Sequence, residues 1–181
     1  LKEQIPVPDF LCCEIEGRNC TEALLSLLKS DDGETVSYAI NLVGADERAF
    51  PDYFSMITEN KFDEDIRDAA VEKLKENADK ATEAALKFYK EGTAKEYMLE
   101  ILSRAKKRDE GIFRILLDEF LSDVGRVPMH AGYLAAYGDE RALPYLMKEI
   151  EDRSIGFVEF QELKYAIEAL GGEYNEPRDF S

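Results

Sequence analysis

The 181-residue chain contains no tryptophan and only one histidine, His130. A relay between two histidines is therefore excluded, and acid–base catalysis would fall to carboxylates, which are too numerous here to single out a pair. The sequence also lacks a phosphate-cradling glycine loop, a Gly-x-Ser-x-Gly elbow and a His-Glu-x-x-His pair. We therefore assign no catalytic residue and expect no cofactor.

Cysteine is scarce as well, because the chain has only Cys12, Cys13 and Cys20, all within its first twenty residues. Their odd number and the adjacent pair imply no intrachain disulfide framework. A metal site would need a fourth ligand, and His130 is far away in sequence. We therefore expect free thiols in a reducing compartment and no bound metal.

Basic residues and long apolar runs are also few. The 39 acidic and 23 basic residues give a formal net charge of −16, which repels the phosphate backbone of nucleic acids and anionic membrane surfaces. No apolar run is long enough to cross a bilayer, and no signal-peptide pattern is present. The sequence predicts a cytoplasmic protein that binds neither nucleic acid nor membranes.

What the sequence does contain is an internal repeat. The residues Asp-Glu-Arg-Ala-Phe-Pro at 46–51 recur 93 positions later as Asp-Glu-Arg-Ala-Leu-Pro at 139–144. A period near 31 residues places two further units between these copies. Apolar residues at the expected ends of five helices follow such a period, at steps of 31, 28, 35 and 33 positions. They are Val43, Leu74, Leu102, Tyr137 and Leu170.

Each of these five residues has apolar neighbours three and four positions before it, which is the spacing of one buried stripe on a helix. After each of the first four comes an aspartate, at 46, 79, 109 or 139, placed to accept hydrogen bonds from the free amides of a helix N-terminus. The sequence therefore predicts an all-α fold of ten helices in five pairs. The first helices lie near 21–30, 47–58, 80–90, 109–121 and 140–150, and the second near 34–44, 63–76, 93–105, 127–137 and 157–171.

The segments outside the repeats are short. Residues 1–20, with Pro6 and Pro8, are predicted to form an irregular lead-in to a repeat domain over 21–172. The tail 173–181 resembles the start of another inter-repeat turn, which leaves open a missing repeat or domain beyond it. The basic run at 104–108 is expected to close a helix at its negative end, with a docking patch for an acidic partner as the alternative.

Three segments resemble the HEAT-repeat superfamily in its short bacterial form, related to bilin-lyase HEAT-like repeats. They are Ala-Ile-Glu-Ala-Leu-Gly at 166–171, Gly-Asp-Glu-Arg-Ala-Leu-Pro-Tyr-Leu at 138–146 and Ile-Arg-Asp-Ala-Ala-Val at 66–71. The resemblance covers about residues 21–172 and implies an α-solenoid of about five helix pairs, whose second helices line a concave binding face. It implies a fold more specifically than a function.

A family HEAT helix often carries an arginine seven positions before its last buried residue, and Arg67, Lys95 and His130 occupy that place in consecutive second helices. Stacking would bring them into one row on the concave face. Either each bonds to a carboxylate or carbonyl of the adjacent repeat, or the row receives a carboxylate-bearing or phosphorylated partner segment. The predicted partner-binding residues are Arg67, Glu72, Lys95, Tyr97, Glu100 and His130.

The function predicted on this basis is a non-enzymatic scaffold that binds an unidentified protein or peptide. The alternative, which the bilin-lyase resemblance implies, is a lyase- or isomerase-like enzyme that acts on a chromophore or another small molecule. A deep pocket with convergent polar groups would distinguish the enzyme from the scaffold. Phe157, Phe160 and Tyr165 of the last helix cannot all face inward, so we expect some to be exposed, covered by the tail or buried in a dimer.

Overall fold

The computed structural model describes residues 21–59, 61–122 and 127–180. Within these ranges the chain forms ten α-helices and two short 3-10 helices and no strand, which confirms the all-α prediction for this part. The lead-in 1–20, with its three cysteines, lies outside the described residues. None of the described helices has the length and hydropathy that a membrane span requires.

The ten helices match the predicted ones to within a few residues at each end. The 3-10 helices Glu47–Ala49 and Glu140–Ala142 directly precede the α-helices Phe50–Thr58 and Leu143–Ile150, so the two repeated Asp-Glu-Arg-Ala segments each begin a helix with a tight turn. The α-helices are α1 Thr21–Leu27, α2 Gly33–Val43, α3 Phe50–Thr58, α4 Glu64–Glu76, α5 Ala78–Lys90, α6 Lys95–Ser103, α7 Glu110–Ser122, α8 Val127–Tyr137, α9 Leu143–Ile150 and α10 Phe157–Ala169.

Three of the four predicted aspartate caps are present. Asp46 and Asp139 accept hydrogen bonds from the amides of the arginines two positions later, at 2.9 and 3.1 Å. Asp109 accepts from the amides of residues 111 and 112, at 2.8 and 3.1 Å. The prediction for Asp79 was wrong, because α5 begins at residue 78 and Asp79 is its second residue. The Lys80 amide donates to the Asn77 carbonyl, so Asp79 lies within the first turn of α5 and not before it.

The chain divides into two compact units, Leu1–Ala81 and Thr82–Ser181. In the first unit α1 packs on α2, α3 packs on α4, and the second helices α2 and α4 pack on each other. In the second unit α7 packs on α8 and α9 packs on α10, while α8 packs on both α6 and α10. Within each unit, therefore, each second helix packs on the next second helix. Each pair that lies wholly inside a unit also packs its second helix on its own first helix.

The predicted apolar stripes form much of the core. The residues three and four positions before each helix end are buried, apart from Tyr133, which is half-buried. Of the five end residues only Val43 is half-buried, and the other four are at most 5% exposed. The buried stripe members are Ala39, Ile40, Ala70, Val71, Leu74, Met98, Leu99, Leu102, Leu134, Tyr137, Ala166, Ile167 and Leu170.

Glycine ends α2 and α8 in the same way. Gly44 and Gly138 have φ angles of +63° and +72°, which side chains disfavour, and each amide donates 3.0 Å to the carbonyl four residues earlier. The carbonyl of Gly44 accepts from the Tyr53 hydroxyl at 2.7 Å, whereas that of Gly138 accepts from the Arg108 guanidinium at 2.9 Å. Arg108 thus places the last cation of the 104–108 run at the negative end of α8.

The repeated arginines make the same contacts in both copies. Arg48 pairs with Asp46 at 2.7 Å and reaches Glu22 of α1 at 3.4 Å. Arg141 pairs with its own aspartate at 2.8 Å and with Glu110 of α7 at 2.7 Å. Hydrogen bonds from these arginines hold the pKa values of both aspartates below their ordinary range. Each repeated segment therefore ties its helix to the start of the preceding first helix.

The C-terminal residues 173–180 cover part of α10. Phe160 is 7% exposed, and the rings of Tyr174 and Phe180 lie 5.9 and 5.2 Å from its ring. Phe157 and Tyr165 stay 57% and 64% exposed. As the sequence predicted, the three rings are not all buried in the helix packing: the tail covers Phe160, and Phe157 and Tyr165 are exposed. Burial of these rings in a dimer stays a prediction.

Candidate functional site

The three second helices of the second unit, α6, α8 and α10, enclose a groove of about 400 Å³. Because α8 packs on both α6 and α10, the groove runs over α8 and is flanked by the other two helices. Small residues of α8 and α10 line it, and they leave the space that longer side chains would fill. They are Gly132, Ala135, Ala136 and Ala169.

Gly132 shows how open this groove is. Apart from its chain neighbours and the backbone of its own helix, a Cβ atom built on Gly132 would meet no atom within 4 Å, and the φ of Gly132 is not in the left-handed region. A helix-interior glycine costs stability relative to alanine, about 0.5–1 kcal/mol. Gly132 therefore leaves space open at the groove. A larger side chain would fit at this position and would stabilise the helix.

Two large apolar side chains of the groove face solvent. Met129 of α8 is 48% exposed and Tyr165 of α10 is 64% exposed. A half-buried aromatic ring, Tyr133, lies beside them in the groove lining. Exposed apolar residues grouped in a concavity are typical of binding surfaces, whereas single exposed ones are common everywhere.

Charged side chains stand on the helices that flank the groove. Glu100 belongs to α6, Arg104 is the residue that directly follows this helix, and Glu162 belongs to α10. The part of the lining that the structure describes thus carries two carboxylates and one guanidinium. Such a surface can hold an apolar side chain over the small residues and pair charged groups at its edges.

The first unit has a shallower groove of about 690 Å³ between its own second helices, α2 and α4. Its carboxylates include Asp32 and Asp63, which accept from the amides of Thr35 and Ile66 at 2.9 and 3.2 Å. Both aspartates thus cap helices. Tyr38, 43% exposed, is the large aromatic residue of this lining. The caps account for part of the acidic character of this groove.

The predicted row of Arg67, Lys95 and His130 is divided between the two units. Arg67 lies on α4 of the first unit, where its Nε donates to the Asp63 carbonyl of the same helix at 3.4 Å. Lys95 and His130 lie on α6 and α8 of the second unit. Their surroundings there differ greatly in polarity and exposure.

Lys95 takes part in a polar cluster that the sequence did not predict. Its Nζ lies 2.7 Å from Glu119 of α7, and the Tyr89 hydroxyl of α5 donates to the same carboxylate oxygen at 2.5 Å. Burial alone would raise the pKa of Glu119, but the hydrogen bonds from Lys95 and Tyr89 outweigh it and lower the pKa. Burial and the neighbouring carboxylate raise the pKa of Tyr89.

His130 is 1% exposed and lies between α8 and α6. Its Nε2 is 3.7 Å from the Glu96 carboxylate of α6, beyond hydrogen-bond distance, and in the part of the chain that the structure describes neither ring nitrogen has a hydrogen-bond partner. The Tyr133 ring lies 5.9 Å away on the same helix. A partner or substrate could reach His130 only if the side chains around it moved.

The other predicted residues are placed separately. Glu100 lines the second-unit groove, Tyr97 is half-buried on α6, and Glu72 on α4 pairs with Lys75 at 2.7 Å. The binding role of the six residues stays a prediction. Residues 21–59, 61–122 and 127–180 contain no group of three or more histidine, cysteine or acidic side chains that could hold a metal ion.

Met129, Gly132 and Glu162 were not predicted from sequence, although their spacing indicates a shared helix face. Residues 129, 132, 133 and 136 recur at helical spacing on α8, beside the buried stripe, and 162, 165 and 169 do so on α10. A second face of small and apolar residues on neighbouring second helices could have marked the groove.

Comparison of the chain with protein-family models, with curated proteins and with solved structures finds no match in any of the three. The functional assignment therefore depends on the geometry of the groove.

Proposed function

We propose that the chain is a HEAT-like α-solenoid that acts as a non-enzymatic scaffold and binds a peptide segment of a partner protein in the groove of α6, α8 and α10. The observation that carries this proposal is the exposure of Met129 and Tyr165 in a concavity whose lining also contains glycine and three alanines. Because each side chain is only about half exposed, covering its remaining surface against a partner contributes about 1–1.5 kcal/mol for each.

The repeat architecture is supported by the contacts within each unit. Second helices pack on second helices, and Arg48 and Arg141 make equivalent ion pairs to the preceding first helix. Stacks of helix pairs present their second helices as a continuous inner surface, which is where such proteins bind partners. A groove made only of second helices fits this arrangement.

A scaffold fits the groove better than the lyase- or isomerase-like alternative does. Acid–base chemistry requires a titratable group within hydrogen-bond reach of the substrate. The polar cluster outside the groove is largely covered, since His130 is 1% exposed and the Glu119 side chain 13% exposed. The two carboxylates of the groove, Glu100 and Glu162, belong to opposite flanking helices. The acidic composition further supports the predicted cytoplasmic location.

The test begins with selection of twelve-residue peptides from a random display library on the immobilised full chain. Affinities of the enriched peptides are then measured by isothermal titration calorimetry for the wild type and for Gly132→Leu, which fills the groove from a position where a Cβ meets nothing within 4 Å. We expect Gly132→Leu to weaken binding by about tenfold or more, since it occupies the space of a buried anchor.

The matched control is Gln161→Leu, which adds an apolar side chain at an exposed position of α10 outside the groove lining. It should bind as the wild type does. Equal binding by Gly132→Leu and the wild type, or failure of the library to yield any enriched peptide, would contradict the proposed function.

A further inference from the structure

We infer that the occupant of this groove is a cationic segment, in which a lysine or arginine lies next to an apolar anchor. This inference rests on the proposed function and adds the chemistry of the partner. It follows from two features of this groove, the carboxylates on its two flanking helices and the tyrosine rings that line it, and from the charge of the whole chain.

Carboxylates approach the groove from both sides. Glu100 belongs to α6 and Glu162 to α10, and α8 packs between these helices. A cation held over α8 therefore meets a carboxylate on either flank. An acidic or phosphorylated segment would instead bring like charges against both, which is a strong discrimination between partners.

The aromatic rings suit the same occupant. Tyr133 and Tyr165 both line the groove, and the face of an aromatic ring attracts an ammonium or guanidinium group. Met129 offers a polarizable, flexible contact for the aliphatic stem of a lysine or arginine. A cationic side chain thus finds partners for both its charged head and its apolar stem.

Among the residues that the structure describes, Arg104 is the one cation of this lining, and it lies one helical turn after Glu100. With Glu100 and Glu162 it leaves a net charge of −1 on the charged lining residues that are described, and it gives the groove a direction. The basic side chain of the occupant faces the carboxylates, while a carbonyl or carboxylate of the segment lies toward Arg104. The net charge of −16 on the chain adds long-range attraction for cations.

The row first predicted to bind an acidic segment presents its cations differently. Lys95 is held by Glu119 at 2.7 Å, and His130 is buried. Of the six predicted partner-binding residues, Glu100 lines this groove, and Arg104 of the basic run at 104–108 lines it as well. The charge inferred for the occupant is opposite to that of the carboxylate-bearing or phosphorylated segment predicted from sequence, and the experiment below distinguishes the two.

The test measures which residues the selected peptides contain and what the groove carboxylates contribute. The double variant Glu100→Gln/Glu162→Gln is compared with Glu83→Gln/Glu151→Gln, which removes two exposed carboxylates of the same unit outside the groove lining. The probes are a fluorescein-labelled enriched peptide and its version with every lysine and arginine replaced by glutamine. Fluorescence polarisation measures the affinity of each probe for each variant.

We expect enrichment of lysine or arginine, binding weakened about tenfold or more in the groove variant, and a change of less than about twofold in the matched variant. The glutamine version of the peptide should lose the same factor. Equal weakening in both double variants would overturn the inference, because the attraction would then come from overall charge. If acidic or neutral peptides were enriched and Gly132→Leu weakened their binding, the inference of a cationic occupant would be overturned. The proposed peptide-binding function would still be supported. A library that yields no peptide would overturn both.

Discussion

The hydroxyl of Tyr137 provides a sharp test of how the helices of the second unit are joined. Tyr137 is the last residue of α8 and is 2% exposed. Its hydroxyl accepts from the Asp109 amide at 2.8 Å and donates to the Asp109 carbonyl at 3.1 Å, immediately before α7 begins. The guanidinium of Arg108 lies over its ring at 4.9 Å and donates to its carbonyl. Tyr137 thus connects the end of one helix to the start of another.

The substitution Tyr137→Phe keeps the ring and its packing and removes only the two hydrogen bonds. Each is worth about 0.5–1.5 kcal/mol, and the Asp109 backbone groups would stay partly buried, so we expect a loss of about 2 kcal/mol in the free energy of unfolding. Urea unfolding followed by far-ultraviolet circular dichroism measures this loss. It should appear as a lower midpoint with an unchanged slope.

Tyr165→Phe is the matched control, because it removes the hydroxyl of a ring that is 64% exposed. It should change the free energy of unfolding by less than about 0.5 kcal/mol, as expected for an exposed position. If Tyr137→Phe were as stable as this control, the Asp109 contact would contribute nothing, and the connection between α7 and α8 would need another explanation.

Three further perturbations have expected outcomes. Gly132→Ala should raise the free energy of unfolding by about 0.5–1 kcal/mol in urea titrations, because its Cβ enters open space; a loss of stability would show that the groove is closed. Arg141 holds the pKa of Asp139 below its ordinary value, so this carboxylate stabilises the fold above about pH 4 and the contribution is lost as pH falls through the depressed pKa. Asp139→Asn should flatten the acid limb of the thermal midpoint against pH, and an unchanged limb would refute this sign. Arg178 donates to the carbonyls of Ile150, Asp152 and Ile155, so Arg178→Ala should speed chymotrypsin cleavage after Tyr174 and leave the helical content unchanged; equal cleavage would mean that other contacts hold the tail.

The secondary structure was predictable from sequence because its determinants are local. Apolar residues at helical spacing and aspartates before them placed all ten described helices to within a few residues. Asp79 was the exception, since the chain between α4 and α5 is a single residue, Asn77, and the new helix starts before the aspartate. A cap predicted from its residue type alone does not show how short the connection is.

The groove could not be predicted in the same way, because it depends on which helix faces remain uncovered. The interval of seven residues that placed His130 in a row gives its angle on α8, but packing against α6 decides that it is 1% exposed. Likewise, Gly132 could serve close packing or open space, and only the three-dimensional arrangement shows that it serves open space. Ion pairs such as that of Lys95 with Glu119 join residues 24 positions apart, so no local sequence pattern indicates them.

Methionine methyl resonances offer the most direct test that the second-unit groove is the binding surface. The chain has four methionines, and Met129 lies in the groove at 48% exposure, whereas Met56 and Met98 are at most 3% exposed. With the methyl groups labelled with carbon-13, a saturating amount of a selected lysine- or arginine-containing peptide should shift the Met129 resonance and leave those of Met56 and Met98 in place. In Gly132→Leu the Met129 shift should disappear. A peptide that binds without moving the Met129 resonance would contradict the account.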